Sequence, residues 1–194
     1  QSASGAIVVS ALGSDGTFAS YSSFGANVFV TAPSNSFKSA GLYGITTTDR
    51  TGANGYNGFS DTSYTNQFGG TSAAAPLVSG VLALAKQAQP NMGERMAKHL
   101  LALTSRVVDA GDSASTGGGW VTNGAGYHFN ENYGFGLIDA DALTQAAAQY
   151  SGVTPLVTLD SGLVSLNRAA IPDATATVAK RLVGTFDVTA TAPL

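Results

Sequence analysis

Residues 69–76 read Gly-Gly-Thr-Ser-Ala-Ala-Ala-Pro, and an apolar run follows them directly. Seven apolar residues of this run cover almost every side of a helix: Leu77, Val78, Val81, Leu82, Ala83, Leu84 and Ala85. A helix that is apolar all round is typical of a protein core. The glycine pair allows the backbone to turn sharply before the helix starts. The sequence therefore predicts a buried helix that begins at Ser72 and ends near Gln87.

Ser72 lies at the predicted amino end of this helix. There Thr71 or Ser72 can cap the first free N–H groups, and Pro76 falls in about the first turn, where its missing N–H matters least. One interpretation of Ser72 is an ordinary N-cap serine. The other is a nucleophile, because free N–H groups and the helix dipole favour an oxyanion that develops beside the attacking hydroxyl.

Composition excludes several classes of protein. The chain has 194 residues, 44% of them hydrophobic and 11% charged, with a net charge of −3. We expect one or two domains with a sizeable core. We do not expect a nucleic-acid partner, because the net charge is not positive. No apolar run approaches the roughly 20 residues of a membrane-spanning helix. The absence of cysteine excludes disulfides and thiol catalysis within this sequence.

Three short strands are predicted upstream of Ser72. Residues 5–12 and 28–32 are continuous apolar runs with β-branched residues, as in a parallel sheet that is buried on both faces. Residues 44–48 form a third strand. Residues 49–70 are rich in Gly, Asn, Thr, Ser and Tyr, so a long surface loop that can line a cleft is predicted.

Two further helices and a change of pattern follow. A helix from about Gly93 to Val107 is predicted to bury one face, formed by Met96, Leu100, Leu103 and Val107. A third helix starts at Asp139, with carboxylates in its first turn where the dipole favours them. From Val153 onward, alternating Thr/Val-rich runs predict antiparallel strands.

Five segments in this order resemble the subtilisin-like serine proteases, in particular the kexin and furin branch. They are Tyr21–Val28 with Ala32-Pro33, Ile45–Asp49, Gly70–Pro76, Gln89–Met92 and Tyr133–Ala140. The resemblance covers about residues 4 to 150. It implies that residues 1–150 are the C-terminal part of a catalytic domain, an α/β fold with a mainly parallel sheet and helices on both faces. Residues 151–194 would then be the start of a β-sandwich P domain, since about forty residues are too few for a complete sandwich.

The same resemblance implies roles for residues of the Gly-Thr-Ser segment. Ser72 would be the nucleophile that attacks a peptide or protein substrate, and its backbone N–H would be one oxyanion donor. Thr71 would support the turn. Phe68, Gly69 and Gly70 would lie on the leaving-group side of the substrate cleft.

The rest of the catalytic set is missing from this sequence. In the family the order along the chain is Asp, His, Ser, whereas both histidines here, His99 and His128, follow Ser72. We interpret His99 as a packed helix residue and His128 as a surface residue. The triad Asp and His, and the oxyanion Asn, are therefore expected on an N-terminal segment that this chain lacks. The chain begins with Gln1 and shows no signal peptide, so we expect a piece of a longer protein that is inactive alone.

A metal site is not assigned to any residue of this chain. Furin-like enzymes have a calcium-binding Glu where Ser23 stands here, and a hydroxyl cannot replace a carboxylate as a calcium ligand of similar strength. This difference argues against that calcium ion and against strict paired-basic specificity. A structural calcium ion is implied by the resemblance alone. The lack of cysteine fits a secreted or periplasmic bacterial protein.

Two other functions stay open at this point. The first is a non-catalytic binding or scaffold protein of subtilase descent, in which Ser72 only caps its helix. The second is an extracellular β-rich adhesion or carbohydrate-binding module, which the Gly/Ser/Thr/Tyr-rich loops would suit. The buried helix after Ser72 disfavours the second, because such modules rarely contain one.

Overall fold

A computed structural model describes residues 5–36, 44–56, 63–113 and 119–153. The chain divides into one unit, Gln1–Gly152, and a second, Val153–Leu194. Nearly all of the second unit lies outside the described residues. The start of a β-sandwich domain over residues 151–194 therefore stays a prediction.

Two parallel strands form the centre of the first unit. β1 (Val9–Leu12) pairs with β2 (Val30–Pro33), in a register that runs from Val9 opposite Val30 to Leu12 opposite Pro33. Most of their residues are buried, as their continuous apolar character predicts. On the other side of β2, Thr31 forms a parallel bridge with Leu137. This parallel arrangement places the carboxyl end of β2 beside the start of the long helix.

Two hairpins lie outside this pair. β3 (Ile45–Thr48) is antiparallel to β4 (Tyr64–Phe68), and β5 (Val121–Thr122) is antiparallel to β6 (His128–Phe129). The prediction of a loop throughout residues 49–70 was wrong for β4, since the pairing partner of that strand lies about twenty residues away. A short 3-10 helix also occurs at Gly52–Asn54. β4 leads straight into the Gly69-Gly70 turn and sets its direction.

The long helix α1 (Thr71–Ala88) packs against β1, β2 and the last helix. Its buried residues are small: Ala73, Ala74, Val78 and Ala85. Leu77 and Leu84, however, are 37% and 52% exposed. The prediction of burial all round was therefore wrong for the described part of the chain. Only the small-residue face meets the sheet, and the leucine face lacks a described neighbour that covers it.

The remaining helices are α2 (Glu94–Thr104) and α3 (Ala140–Gln149), which pack against each other. α3 begins as predicted, because the Asp139 carboxylate accepts a hydrogen bond from the Ala142 N–H at 3.0 Å. α2 ends before Val107, since Arg106 joins an antiparallel bridge to Leu137. Its buried face is Met96, Ala97, Leu100 and Leu101. Leu103 and Val107, predicted on that face, are exposed.

Candidate active site

The Gly69-Gly70 turn joins β4 to α1. Gly70 is the N-cap residue of α1 and has φ of +82°, in the left-handed region that favours glycine. A Cβ atom on Gly69 would collide with the side chain of Asn35. Both glycines are therefore required, and the predicted sharp turn is confirmed.

Ser72 is the second residue of α1 and is exposed. The idea that Thr71 or Ser72 caps the helix was wrong, because Gly70 occupies the N-cap position and no side chain caps it. Neither hydroxyl forms a hydrogen bond with any residue that the structure describes. The first N–H groups of a helix lack partners within it. The backbone N–H of Ser72 has no acceptor among the described residues either, so both of its donors are available to a ligand.

Pro76 lies deeper in α1 than expected. It is the sixth helical residue, one turn beyond Ser72, so the helix continues through it. Proline has no N–H, and for this reason the carbonyl of Ser72 lacks its usual partner four residues on. The backbone N–H and the carbonyl of Ser72 therefore both lack the usual helical partner four residues away.

Two residues directly after β2 hold the turn. The Gly70 N–H donates to Asn35 Oδ1 at 3.0 Å, and Ser34 Oγ donates to the Gly70 carbonyl at 2.8 Å. Both Ser34 and Asn35 are buried. Sequence analysis did not identify them, because it assigned no role to the residues between Pro33 and the third predicted strand. Their position at the carboxyl end of a predicted buried parallel strand was the signal that could have identified them.

The three predicted cleft residues lie together. Phe68, Gly69 and Gly70 line one cavity of about 390 Å³. The other described residues that line it are Asn35, Tyr56, Thr65 and Gln67. Phe68 is 43% exposed, so an apolar ring is available beside the turn.

The two histidines are placed elsewhere. His99, half-buried on α2, has its Nε2 2.8 Å from the Tyr150 hydroxyl, as expected for a packed helix residue. His128 on β6 was predicted on the surface, but it is half-buried, with its ring 5.4 Å from that of Trp120. Edge-to-face packing against Trp120 partly covers its ring, and the local sequence does not indicate this contact. Within the described residues, neither histidine hydrogen-bonds to Ser72.

A second polar cluster surrounds Tyr133. Its side chain is fully buried, and its hydroxyl donates to Asp109 Oδ2 at 2.9 Å. Burial first, and then the hydrogen bond to Asp109 and its charge, raise the pKa of Tyr133 well above the usual value of a tyrosine. Trp120 stacks on the tyrosine ring with centroids 5.8 Å apart. This cluster is fully engaged in internal contacts, so we assign it a structural role.

Neither a metal cluster nor a membrane helix occurs in the part of the chain that the structure describes. In those ranges no three His, Asp or Glu side chains lie close enough to hold a metal ion. No helix there combines the length and apolar character that crossing a bilayer requires. The structural calcium ion that the resemblance implies stays a prediction.

Comparison with known proteins relates the chain to one family. The family model described as Subtilase family matches residues 1–136. The Aeromonas extracellular serine protease of Aeromonas sobria is 36% identical over 189 residues, which cover 79% of this chain and 29% of that protein. Furin-1 of Xenopus laevis is 41% identical over 91 residues, which cover 47% of this chain and 11% of Furin-1.

Solved structures agree with this relation. The crystal structure of the A. sobria serine protease matches with a TM-score of 0.70 at 34% identity, over 79% of this chain and 31% of that chain. The predicted α/β fold is therefore confirmed. The chain spans less than a third of the length of these relatives, at 29% and 11%.

Proposed function

Because the chain belongs to the subtilase family, we propose that it is part of a serine endopeptidase in which Ser72 attacks the peptide bond. One observation carries this assignment. Ser72 is exposed at the amino end of α1, and both its hydroxyl and its backbone N–H lack partners among the described residues. A capping serine would have used its hydroxyl within the turn.

The proposed reaction proceeds through an acyl-enzyme. Ser72 Oγ forms a bond to the substrate carbonyl carbon while a histidine base takes the hydroxyl proton. The Ser72 N–H, at the positive end of the α1 dipole, stabilises the resulting oxyanion. The leaving amine takes the proton from the base and departs, and water then hydrolyses the ester on Ser72.

We assign the substrate's leaving-group side to the cavity next to the turn. Phe68 offers an apolar surface there, and the lack of side chains at Gly69 and Gly70 lets a peptide backbone approach. Thr71, between Gly70 and Ser72, supports the turn as part of the first helical turn. The exposed turn and the cavity suit a peptide or protein substrate.

The base and its carboxylate are proposed to come from a segment that precedes this chain. His99 is engaged with Tyr150, and His128 packs against Trp120, so neither is available to Ser72 in the described arrangement. We propose that the preceding segment also provides the oxyanion Asn. This segment would also cover the exposed Leu77 and Leu84 of α1 and the half-buried residues Ile7, Val8 and Val9, which lead into β1.

We propose that the parent protein is secreted or periplasmic and bacterial. The A. sobria relative is named an extracellular protease. The lack of cysteine and the small share of charged residues, 11%, fit this location.

A fluorophosphonate probe on the full-length protein tests the assignment. We expect a single adduct at Ser72, mapped by mass spectrometry, and loss of hydrolysis by several orders of magnitude in Ser72→Ala. Ser79→Ala is the matched control, since Ser79 is also an exposed serine of α1 but bonds to the Ala75 carbonyl. Labelling at another serine, or full activity in Ser72→Ala, would reject the assignment.

The alternative is a non-catalytic subtilase-derived scaffold. This alternative assumed that Ser72 only caps its helix, but the N-cap residue is Gly70. A full-length protein that binds peptides, does not hydrolyse them and is not labelled would identify such a scaffold.

A further inference from the structure

We propose that Asn35 is a positioning residue for Ser72. Its side-chain oxygen holds the Gly70 N–H and so maintains the turn in which Ser72 keeps its hydroxyl and N–H free. The effect on catalysis rests on the proposed function, whereas the effect on the turn does not.

The contacts form a clamp, which we define as Ser34, Asn35 and Tyr21 acting on Gly70. Asn35 accepts from the Gly70 N–H, while Ser34 donates to the Gly70 carbonyl. Both peptide groups of Gly70 are therefore held by residues that are 35 and 36 positions away in sequence. Glycine has more backbone freedom than any other residue, so the conformation of Gly70 depends on such outside contacts.

Tyr21 orients the side chain of Asn35. Its hydroxyl lies 2.8 Å from Asn35 Oδ1 and 2.9 Å from Ser34 Oγ. Asn35 is only 5% exposed, and its amide packs directly against Gly69. The Tyr21 hydroxyl also lies 2.9 Å from the Asn35 backbone carbonyl oxygen. The Tyr21 hydroxyl and the Gly70 N–H thus both contact Asn35 Oδ1 in a buried position, which restricts its rotamer and fixes the place of the Gly70 N–H.

The link to Ser72 is short. The Gly70 carbonyl, held by Ser34, also accepts from the Ala73 N–H at 3.0 Å and the Ala74 N–H at 3.4 Å. Gly70 therefore sets the first turn of α1, in which Ser72 is the second residue. A movement of Gly70 would displace the nucleophile and the oxyanion donor together. Such a displacement weakens interactions made only in the transition state, so it lowers kcat more than it raises KM.

Asn35→Leu in the full-length protein is the first test. The leucine keeps most of the volume but removes the acceptor for Gly70. We expect kcat, corrected by active-site titration, to fall roughly ten- to hundred-fold, with KM changed by less than about three-fold.

The matched control is Asn132→Leu. Asn132 is also a buried asparagine, but its amide donates to Asp112 and not to the turn. It should destabilise the fold and leave the corrected kcat near the wild-type value. Equal corrected kcat values in the wild type and Asn35→Leu, or an equal loss in the control, would overturn the positioning role.

Amide exchange provides a second readout that does not need turnover. Asn35→Asp keeps an acceptor for the Gly70 N–H, so its Gly70 amide should exchange about as slowly as in the wild type. In Asn35→Leu the same amide should exchange at least roughly ten-fold faster, because it loses its acceptor. The aspartate adds a charge near the oxyanion, and for this reason exchange rather than kcat is compared for this variant.

The two failures are distinguishable. A folded wild type without turnover would reject the proposed function, and with it the catalytic role of Asn35. An active wild type with unchanged kcat and Gly70 exchange in Asn35→Leu would reject the clamp alone. If Asn35→Leu does not fold, Tyr21→Phe removes only the hydroxyl that orients Asn35. A kcat reduced by about two- to five-fold would then support the clamp, and an unchanged kcat would overturn it.

Discussion

The hydroxyl groups of Ser72 and Tyr133 differ in exposure and in hydrogen bonding. The Ser72 region comprises the turn and α1 up to Leu84, and there the Ser72 hydroxyl is exposed and without a described partner. In the cluster around Tyr133, the hydroxyl is buried and donates to Asp109. Burying a polar group without a hydrogen bond costs free energy, so the buried Tyr133 hydroxyl is stabilised by its bond to Asp109. A hydroxyl that is left accessible at a constrained turn is available for chemistry.

The two regions also differ in how far their apolar side chains are covered by described residues. Trp120 covers Tyr133 with parallel rings, whereas Leu84 of α1 is 52% exposed. The Tyr133 side chain is covered and hydrogen-bonded by described residues of this chain. The Ser72 region, by contrast, has a surface that a further segment could cover.

The largest effect is on activity. The 194-residue chain alone should not hydrolyse a peptide ester above the background rate, because no histidine precedes Ser72 in its sequence. The full-length protein should hydrolyse the ester, because the proposed preceding segment provides the base. The measurement is ester hydrolysis by the purified chain, free of other proteins. Turnover that disappears in Ser72→Ala would contradict the prediction and would make His99 or His128 a candidate base.

The second prediction concerns the leucine face of α1. In the chain alone, Leu77→Gln and Leu84→Gln should each change the free energy of unfolding by less than about 0.5 kcal/mol, as for surface positions. In the full-length protein each should cost about 1.5–3 kcal/mol, because the proposed segment buries them. Urea denaturation of both proteins measures the difference.

The control for the leucine face is Val78→Ala, which removes two methyl groups from a side chain on the buried face of α1. It should destabilise both proteins. An equal, small effect of the leucine substitutions in both would show that no segment covers this face.

The third prediction concerns Tyr133 and pH. Tyr133→Phe should lower the free energy of unfolding by about 1–2 kcal/mol at neutral pH, because Asp109 loses a donor. The folded pKa of Tyr133 is raised above its unfolded value of about 10. The hydroxyl therefore stabilises the fold fully below about pH 10, and this stability is lost as the pH rises further.

Urea denaturation between about pH 9 and 11 tests this sign. The wild type should lose stability with rising pH more steeply than Tyr133→Phe, by up to about 1.4 kcal/mol per pH unit. Parallel curves would mean that the Tyr133 proton does not contribute to stability.

The smallest effect is that of Ser72→Ala on the stability of the fold. Ser72→Ala should change the free energy of unfolding by less than about 0.5 kcal/mol, because the side chain neither caps α1 nor is buried. The same denaturation experiment measures it. A loss of about 1 kcal/mol or more would restore a capping role and would weaken the contrast between the two regions.

Local patterns of the sequence determined much of this protein. The apolar β-branched runs predicted β1 and β2, and the carboxylate of Asp139 predicted the start of α3. The glycine pair predicted the turn before α1, because Gly70 adopts a positive φ that favours glycine. Each of these features depends on residues that are neighbours along the chain.

Only the tertiary structure decided which distant residues meet. Asn35 and Ser34 reach Gly70 across 35 and 36 positions, and β4 exists because β3 pairs with it. The apolar period of α1 could not tell which of its faces is covered, because coverage depends on neighbours rather than on the helix. Composition and periodicity report what a segment tends to form, whereas a contact between distant segments depends on the path of the whole chain.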